Sequence, residues 1–203
     1  MNPSLTEQLF SQLQGAPLQQ VSQQLGIDQG QASNAIGAAL PLLMGALGRN
    51  AAQPQGAADL FSALQRDHSS GFDLGGILGS VLGGGGDSPQ TNGAGILGHV
   101  LGDQQDRAAM GVGQAAGLAG PQAKQLMTIL APIVLSFLAQ RMMQGGDASP
   151  TALSQTLGQE RAQVTEQGLG GGILGAVLDQ DGDGQLGLGD LMKLGGGLFG
   201  GGR

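Results

Sequence analysis

Twelve consecutive residues near the C-terminus carry the side chains that a hard cation requires. Asp179, Asp181 and Asp183 alternate along the chain, so their carboxylates converge on one side of a loop. Gln185 offers its backbone carbonyl two residues later, and Asp190 closes the set at the twelfth position. Calcium prefers oxygen ligands, whereas magnesium would keep more of its water. The sequence therefore predicts a Ca²⁺ site with these five residues as metal ligands.

The spacing resembles the calcium loop of an EF-hand over the whole of residues 179–190. Gly184 stands at the sixth position, where the chain turns sharply and a left-handed backbone is needed. Leu186 matches the apolar eighth position, and Gly187 leaves the ninth ligand to water. Asp190 replaces the usual glutamate, as in dockerin-like loops, and its shorter side chain weakens bidentate coordination. The alternative, an acidic solvated turn, would hold four carboxylates close together without a cation.

Composition and charge exclude several other functions. The 203 residues include 41 glycines and five phenylalanines but no Trp, Tyr or Cys. That leaves no aromatic stacking surface for single-stranded nucleic acid, no disulfide framework and no thiolate metal site. Eight basic residues are dispersed among fifteen acidic ones, for a net charge of −7, and residues 1–48 contain no Lys or Arg. We therefore expect no nucleic-acid partner and no binding to an anionic membrane.

The sequence contains no recognisable catalytic constellation. His68 and His99 are isolated, and no nucleophile elbow, zinc-protease motif or phosphate-binding loop is present. We expect the protein not to be an enzyme. Residues 1–7 lack the basic start and the apolar stretch that are typical of a signal peptide, and the most apolar run, residues 126–139, is shorter than the roughly 20 residues of a membrane span. A cytoplasmic location is therefore expected.

The elements around the loop are predicted to be helices. Ser4 and Glu7 have capping-box spacing at the start of the first helix. Gly26 is placed to end a second helix, and Asp28 is placed to begin a third, which is apolar and contains Pro41. Proline inside a helix removes an amide donor and predicts a kink.

The same pattern returns 91 residues later, which indicates two copies of one unit. The proline inside the apolar helix is the sharpest match, because proline is costly there. The matched residues are Val21, Gly26, Gln31, Ala32, Pro41 and Leu47 with Val112, Gly117, Gln122, Ala123, Pro132 and Leu138.

A shorter repeat, Gly-Ile-Leu-Gly, occurs three times, in residues 76–83, 95–102 and 172–179. Small residues one helical turn apart allow another helix to approach closely. The pattern fits either a short helix docked on a bundle or an element for self-association.

Residues 21–28 and 39–43 together resemble a known bacterial family. Their sequences, Val-Ser-Gln-Gln-Leu-Gly-Ile-Asp and Ala-Leu-Pro-Leu-Leu, are similar to those of the YidB-like proteins and the related bacterial domain of unknown function. The resemblance covers about residues 1–145 and implies a helical, cytoplasmic bacterial protein. It implies no catalytic residues, and the calcium-type loop lies outside it.

The sequence thus predicts an all-α protein built from two repeated small units, each with a kinked central helix. The expected divisions are unit 1 (1–50), short helices and a Gly-rich linker (51–94), unit 2 (95–145), a linker (146–171), and the calcium loop with a Gly-rich tail (172–203). We expect a non-enzymatic calcium-binding protein that forms a homo-oligomer. Two alternatives remain open: a calcium-independent interaction module, and a peripheral membrane protein that uses its Gly-Ile-Leu-Gly segments.

Overall fold

A computed structural model describes residues 3–67, 73–83, 92–145 and 148–166. These ranges form helices without any strand, which confirms the all-α prediction. The α-helices in chain order are α1 (Leu5–Leu13), α2 (Ala16–Leu25), α3 (Gln29–Ala51), α4 (Pro54–Asp67), α5 (Leu74–Leu82), α6 (Gly93–Leu101), α7 (Gln105–Ala116), α8 (Gly120–Gln144) and α9 (Pro150–Glu166). A short 3-10 turn, Gly102–Gln104, joins α6 to α7.

The helices begin where their capping residues predict. The Ser4 hydroxyl accepts from the Glu7 amide at 3.1 Å, and the Glu7 carboxylate accepts from the Ser4 amide at 2.8 Å. The Asp28 carboxylate accepts from the Gln31 amide at 2.8 Å at the start of α3. Each bond satisfies a backbone donor that has no partner within its helix.

Two long apolar helices, α3 and α8, form the centre of the bundle and contact each other. Both continue through their internal prolines, Pro41 and Pro132, which are buried. The side chains of these helices are largely inaccessible, so neither helix shows the one-sided pattern of a surface helix. A single hydrophobic cluster runs from Leu5 to Leu157 and includes residues of both predicted units. The two units therefore share one core.

The helix pairs α2–α3 and α7–α8 have the same turn. Gly26 and Gly117 close α2 and α7 with φ of +66° and +67°. In each turn the amide after the glycine donates to a carbonyl five residues earlier, at 3.0 Å and 2.8 Å. This is the Schellman arrangement, which needs a left-handed residue that glycine adopts without a steric penalty.

Two glutamines at equivalent positions join these pairs. The Gln31 side-chain amide donates to the Gly117 carbonyl at 2.7 Å, and that of Gln122 donates to the Leu25 carbonyl at 3.1 Å. Each glutamine thus binds the turn of the other pair. The two pairs exchange similar hydrogen bonds, although the two acceptor carbonyls differ by one position in the repeat.

The segment 146–171, expected to be a linker, contains α9. Ser149 precedes Pro150, and its hydroxyl accepts from the Ala152 amide at 3.1 Å. Leu153 and Leu157, one helical turn apart, are both fully buried. Helix α9 packs mainly on α3, so it covers the central helix of the first unit although it follows the second.

The two Gly-Ile-Leu-Gly segments that the structure describes, α5 and α6, lie on α8 as short helices. Each buries its leucine, Leu78 or Leu97, while the glycines Gly79 and Gly98 are exposed. Only the first residue of α6 makes a close backbone approach, since a Cβ at Gly93 would overlap a carbonyl oxygen of α8.

In the described part of the chain, α8 is long and apolar enough to cross a membrane, with a mean hydropathy of 1.6 over its most apolar window. Inside the bundle, 78% of that window is buried. Helices α3 and α4 would pass the same test only if counted as one span, and they meet at a bend of 119°. A buried core helix of a helical bundle has the same length and composition.

Candidate functional site

The predicted calcium ligands Asp179, Asp181, Asp183, Gln185 and Asp190 lie outside the described residues. The structure therefore neither assembles nor separates them. Within the described ranges, no three His, Asp or Glu side chains come close enough to hold a metal ion.

The most enclosed charged group in the described part is Glu160 of α9, whose side chain is 3% exposed. Its carboxylate accepts from the amides of Leu5 and Thr6, both at 2.8 Å, and from the Thr6 hydroxyl at 2.5 Å. These amides lie in the first turn of α1, where the helix dipole favours a negative charge. Because all three donors are already bound to it, this carboxylate is a structural cap and not a free acid, base or ligand.

Arg49, beside the contact between α3 and α9, is a second charged side chain that is partly buried. Burial, together with the nearby positive charge of Arg161, lowers the pKa of Arg49 below its usual value. A Cβ at Gly48 would lie 3.2 Å from the Leu157 carbonyl oxygen, so the two helices approach closely here. The close approach explains why Arg49 loses solvent, and no carboxylate ligand site results from it.

An open cleft of 640 Å³ lies between the start of α1, the end of α8 and α9. Half of its polar side chains are amides, which can both donate and accept hydrogen bonds, and its one cation is Arg141. The lining residues are Pro3, Ser4, Leu5, Gln8, Arg141, Met142, Gln144, Gly145, Ala152, Thr156, Gln159, Glu160 and Gln163. Since Glu160 is committed to α1, this cleft offers polar contacts without an acid–base pair.

A second groove, of 460 Å³, lies between α4 and α6 over α8. Its floor is apolar, and its edges carry Asp59, Arg66 and His99. The remaining lining residues are Leu60, Ser62, Ala63, Asn92, Gly95, Ile96, Val100 and Leu135. His99 is exposed and is the one histidine in the described part of the chain. The groove fits an apolar helix better than a polar small molecule.

Sequence reasoning missed the residues that join distant parts of the chain. Gln31 and Gln122 appear in the 91-residue repeat, but their exchange of partners requires the three-dimensional packing of the two pairs. Glu160 gives no local signal, because its partners lie about 155 positions earlier in the chain. Within the described part, no buried side-chain nitrogen or oxygen lacks a hydrogen-bond partner. The described residues thus include no buried polar side chain that needs a ligand to complete its hydrogen bonds.

Comparison with known proteins adds one finding. Residues 7–141 match the family described as "Bacterial protein of unknown function (DUF937)". No curated protein and no solved structure matches the chain. The matched region runs from α1 almost to the end of α8 and so contains both helix pairs and the joining glutamines. The chain therefore belongs to the DUF937 family of bacterial proteins.

Proposed function

We propose that this protein is a non-enzymatic, calcium-binding helical protein that associates with copies of itself. The observation that carries the calcium part is the spacing of the aspartates in residues 179–190. Alternating carboxylates, a glycine at the turn and an acidic twelfth residue are the pattern of a calcium loop. An acidic surface turn needs no such spacing.

The ligands we propose are Asp179, Asp181, Asp183, the backbone carbonyl of Gln185, and Asp190. The described helices support this assignment indirectly, because they contain no competing group of metal-binding side chains. Calcium bound to the full chain would therefore be assigned to the loop by removing one aspartate.

Self-association is supported by the exposed faces of α5 and α6. A Cβ at Gly79 would meet nothing within 4 Å, and one at Gly98 would meet only a glutamine side chain at 3.4 Å. Met110 and Met143 are large apolar side chains that remain 53% and 46% exposed. Flat glycine faces allow a second helix to approach closely, so these faces fit the surface of another copy.

The same geometry favours this proposal over a peripheral membrane role. The Ile, Leu and Val side chains at 77, 78 and 81 of α5 and at 96, 97 and 100 of α6 pack against the bundle, while Gly79, Gly98, Ser80 and His99 are exposed. A membrane-binding helix needs its apolar side chains on the outside. The remaining alternative is an interaction module that works without calcium.

We further propose that the two helix pairs are an internal duplication and that the YidB-like proteins are relatives within the family. The equivalent turns and the exchanged glutamine bonds support the duplication. A cytoplasmic location remains our expectation for the protein.

Isothermal titration calorimetry of the full chain with CaCl₂ tests the calcium site. We expect a binding isotherm for the parent and none for Asp183→Ala, since each carboxylate is one ligand of a shared set. Asp106→Ala is the matched control, because it removes the same charge from an exposed ion pair with Lys124 outside the loop. No heat with the parent at millimolar calcium would overturn the calcium proposal and favour the calcium-independent module.

Size-exclusion chromatography with light scattering tests self-association separately. We expect a mass above that of one 20.2 kDa chain. Runs in calcium and in chelator show whether assembly depends on the ion. A monomer under both conditions would refute the self-association proposal and leave the calcium result unaffected.

A further inference from the structure

The groove between α4 and α6 has an apolar floor that other helices of the described chain leave uncovered. Leu60 and Leu135 lie at its base and are 6% and 4% exposed, so they belong to the core. Ile96 and Val100 on the α6 side are only partly buried. Its volume of 460 Å³ falls in the range of about 300–1,000 Å³ typical of binding sites.

The corresponding helices in the other half of the molecule are joined by a buried carboxylate, and the cleft beside them is lined largely by polar side chains. Helix α9 follows α8 as α4 follows α3, and both begin with proline. The eleventh residue of α9 is Glu160, which binds the first turn of α1, whereas the eleventh residue of α4 is Leu64, which points into the core. The first turn of α6 is capped by its own Asn92, whose side chain accepts from the Gly95 amide at 2.9 Å, as Ser4 caps α1, and Leu64 cannot add a hydrogen bond to it. The α4–α6 groove therefore lacks the bridge that joins α9 to α1.

The described Gly-Ile-Leu-Gly helices show how such a segment binds this bundle. In α5 and α6 the leucine is inserted completely, with 1% and 2% exposure, and the flanking Ile and Val are partly buried. The glycines face away. Residues 172–179 repeat the same order, with Ile173, Leu174 and Val177 at the three inserted positions.

We propose that residues 172–179 of the same chain dock in the α4–α6 groove as a third short helix on α8. The segment supplies apolar side chains that would cover this apolar floor, in the order that α5 and α6 already use. Six residue steps separate Glu166 from Gly172, and an extended chain of that length spans about 20 Å. Helix α9 packs against α4, which is one wall of the groove, and a helix is about 10 Å wide. This inference does not require calcium binding.

The absence of cysteine allows a direct distance measurement on the full chain. Spin labels are placed at Gln65→Cys on the exposed side of α4 and at Ala176→Cys, which corresponds to the exposed positions Ser80 and His99. Packed helices have axes about 8–10 Å apart, so pulsed electron resonance in chelator should give one narrow distance below about 25 Å. A broad distribution in the parent would overturn the proposal.

Two variants that each add one negative charge distinguish loss of docking from a general effect of the added charge. Leu174→Asp places a carboxylate at the inserted position and should broaden the distribution at least twofold. Gly175→Asp corresponds to the exposed Gly79 and Gly98 and should leave it narrow. A narrow distance that persists in Leu174→Asp would refute the assignment.

Dilution with unlabelled protein shows whether the docked segment comes from the same chain or from a neighbouring copy. The labelled chain is refolded with a tenfold excess of unlabelled chain, which removes distances between copies. We expect the short distance to persist. Loss of the short distance would show that a second copy donates the segment and would overturn the intramolecular proposal. Calcium binding by the loop is tested separately, by calorimetry.

Discussion

Replacing Glu160 tests whether a single buried carboxylate fastens α9 to the first turn of α1. Glu160→Ala leaves the amides of Leu5 and Thr6 and the Thr6 hydroxyl without their acceptor. Glu160→Gln keeps the shape and can still accept the two Thr6 bonds through its one carbonyl oxygen. Its amide group then faces the Leu5 amide, so two donors oppose each other.

The magnitude follows from the number and kind of bonds. Hydrogen bonds to a charged group contribute about 1.5–3 kcal/mol each, so three of them set an upper limit of about 4.5–9 kcal/mol. Water can enter from the adjacent cleft and satisfy part of the loss. We therefore expect Glu160→Ala to lower the free energy of unfolding by about 3–5 kcal/mol, as for other broken buried ionic contacts. Glu160→Gln should cost about 1.5–3 kcal/mol.

Chemical denaturation followed by circular dichroism measures both variants, with thermal melts as a second reading. For a chain of this size each kcal/mol shifts Tm by about 2–4 °C, which predicts a fall of about 6–20 °C for Glu160→Ala. Glu7→Gln is the control, because Glu7 caps the same helix from an exposed position and glutamine also serves in a capping box. A loss below about 1 kcal/mol for Glu160→Ala, or an equal loss for Glu7→Gln and Glu160→Gln, would refute the reasoning.

Three further predictions concern the glycines and the joining glutamines. Gly93→Ala should lower the free energy of unfolding by about 1–3 kcal/mol, since its Cβ would overlap the α8 backbone. Gly79→Ala should raise it by about 0.4–1 kcal/mol, and urea unfolding of both variants measures the difference. Gln31→Ala and Gln122→Ala should each cost about 0.5–1.5 kcal/mol by the same assay, and no loss in either would contradict a joining role. Gly79→Leu combined with Gly98→Leu should lower the mass seen by light scattering while the helical signal is retained; an unchanged oligomer would exclude these faces from the interface.

Local chemistry made much of the fold predictable. Ser4 and Glu7 form the expected capping box, and Asp28 caps α3, because these contacts involve residues only three positions apart. Gly26 and Gly117 adopt the left-handed conformation expected of a helix-ending glycine. Such signals depend on the backbone nearby and not on the rest of the chain.

Long-range packing was not predictable in the same way. A segment of modest polarity such as 150–166 looks like a linker until a partner surface on α3 is known. Leu153 and Leu157 are recognised as core residues only once α3 is known to pack against them. The candidate calcium loop is the reverse case, since its ligands are close in sequence and its interpretation rests on their spacing.

The two halves of the bundle are equivalent at their centre and different at their edge. At the centre, Gln31 and Gln122 each donate to a carbonyl of the other pair's turn, at acceptors one position apart in the repeat, so each pair stabilises the other. At the edge, one half places Glu160 against α1, while Leu64 at the corresponding position of α4 leaves α6 unbridged. Leu64 is buried in the core, and the apolar floor of the groove is formed by Leu60 and Leu135. The two halves thus differ in what they offer a further helix, since the α4–α6 groove has an apolar floor and the cleft beside Glu160 is lined largely by polar side chains.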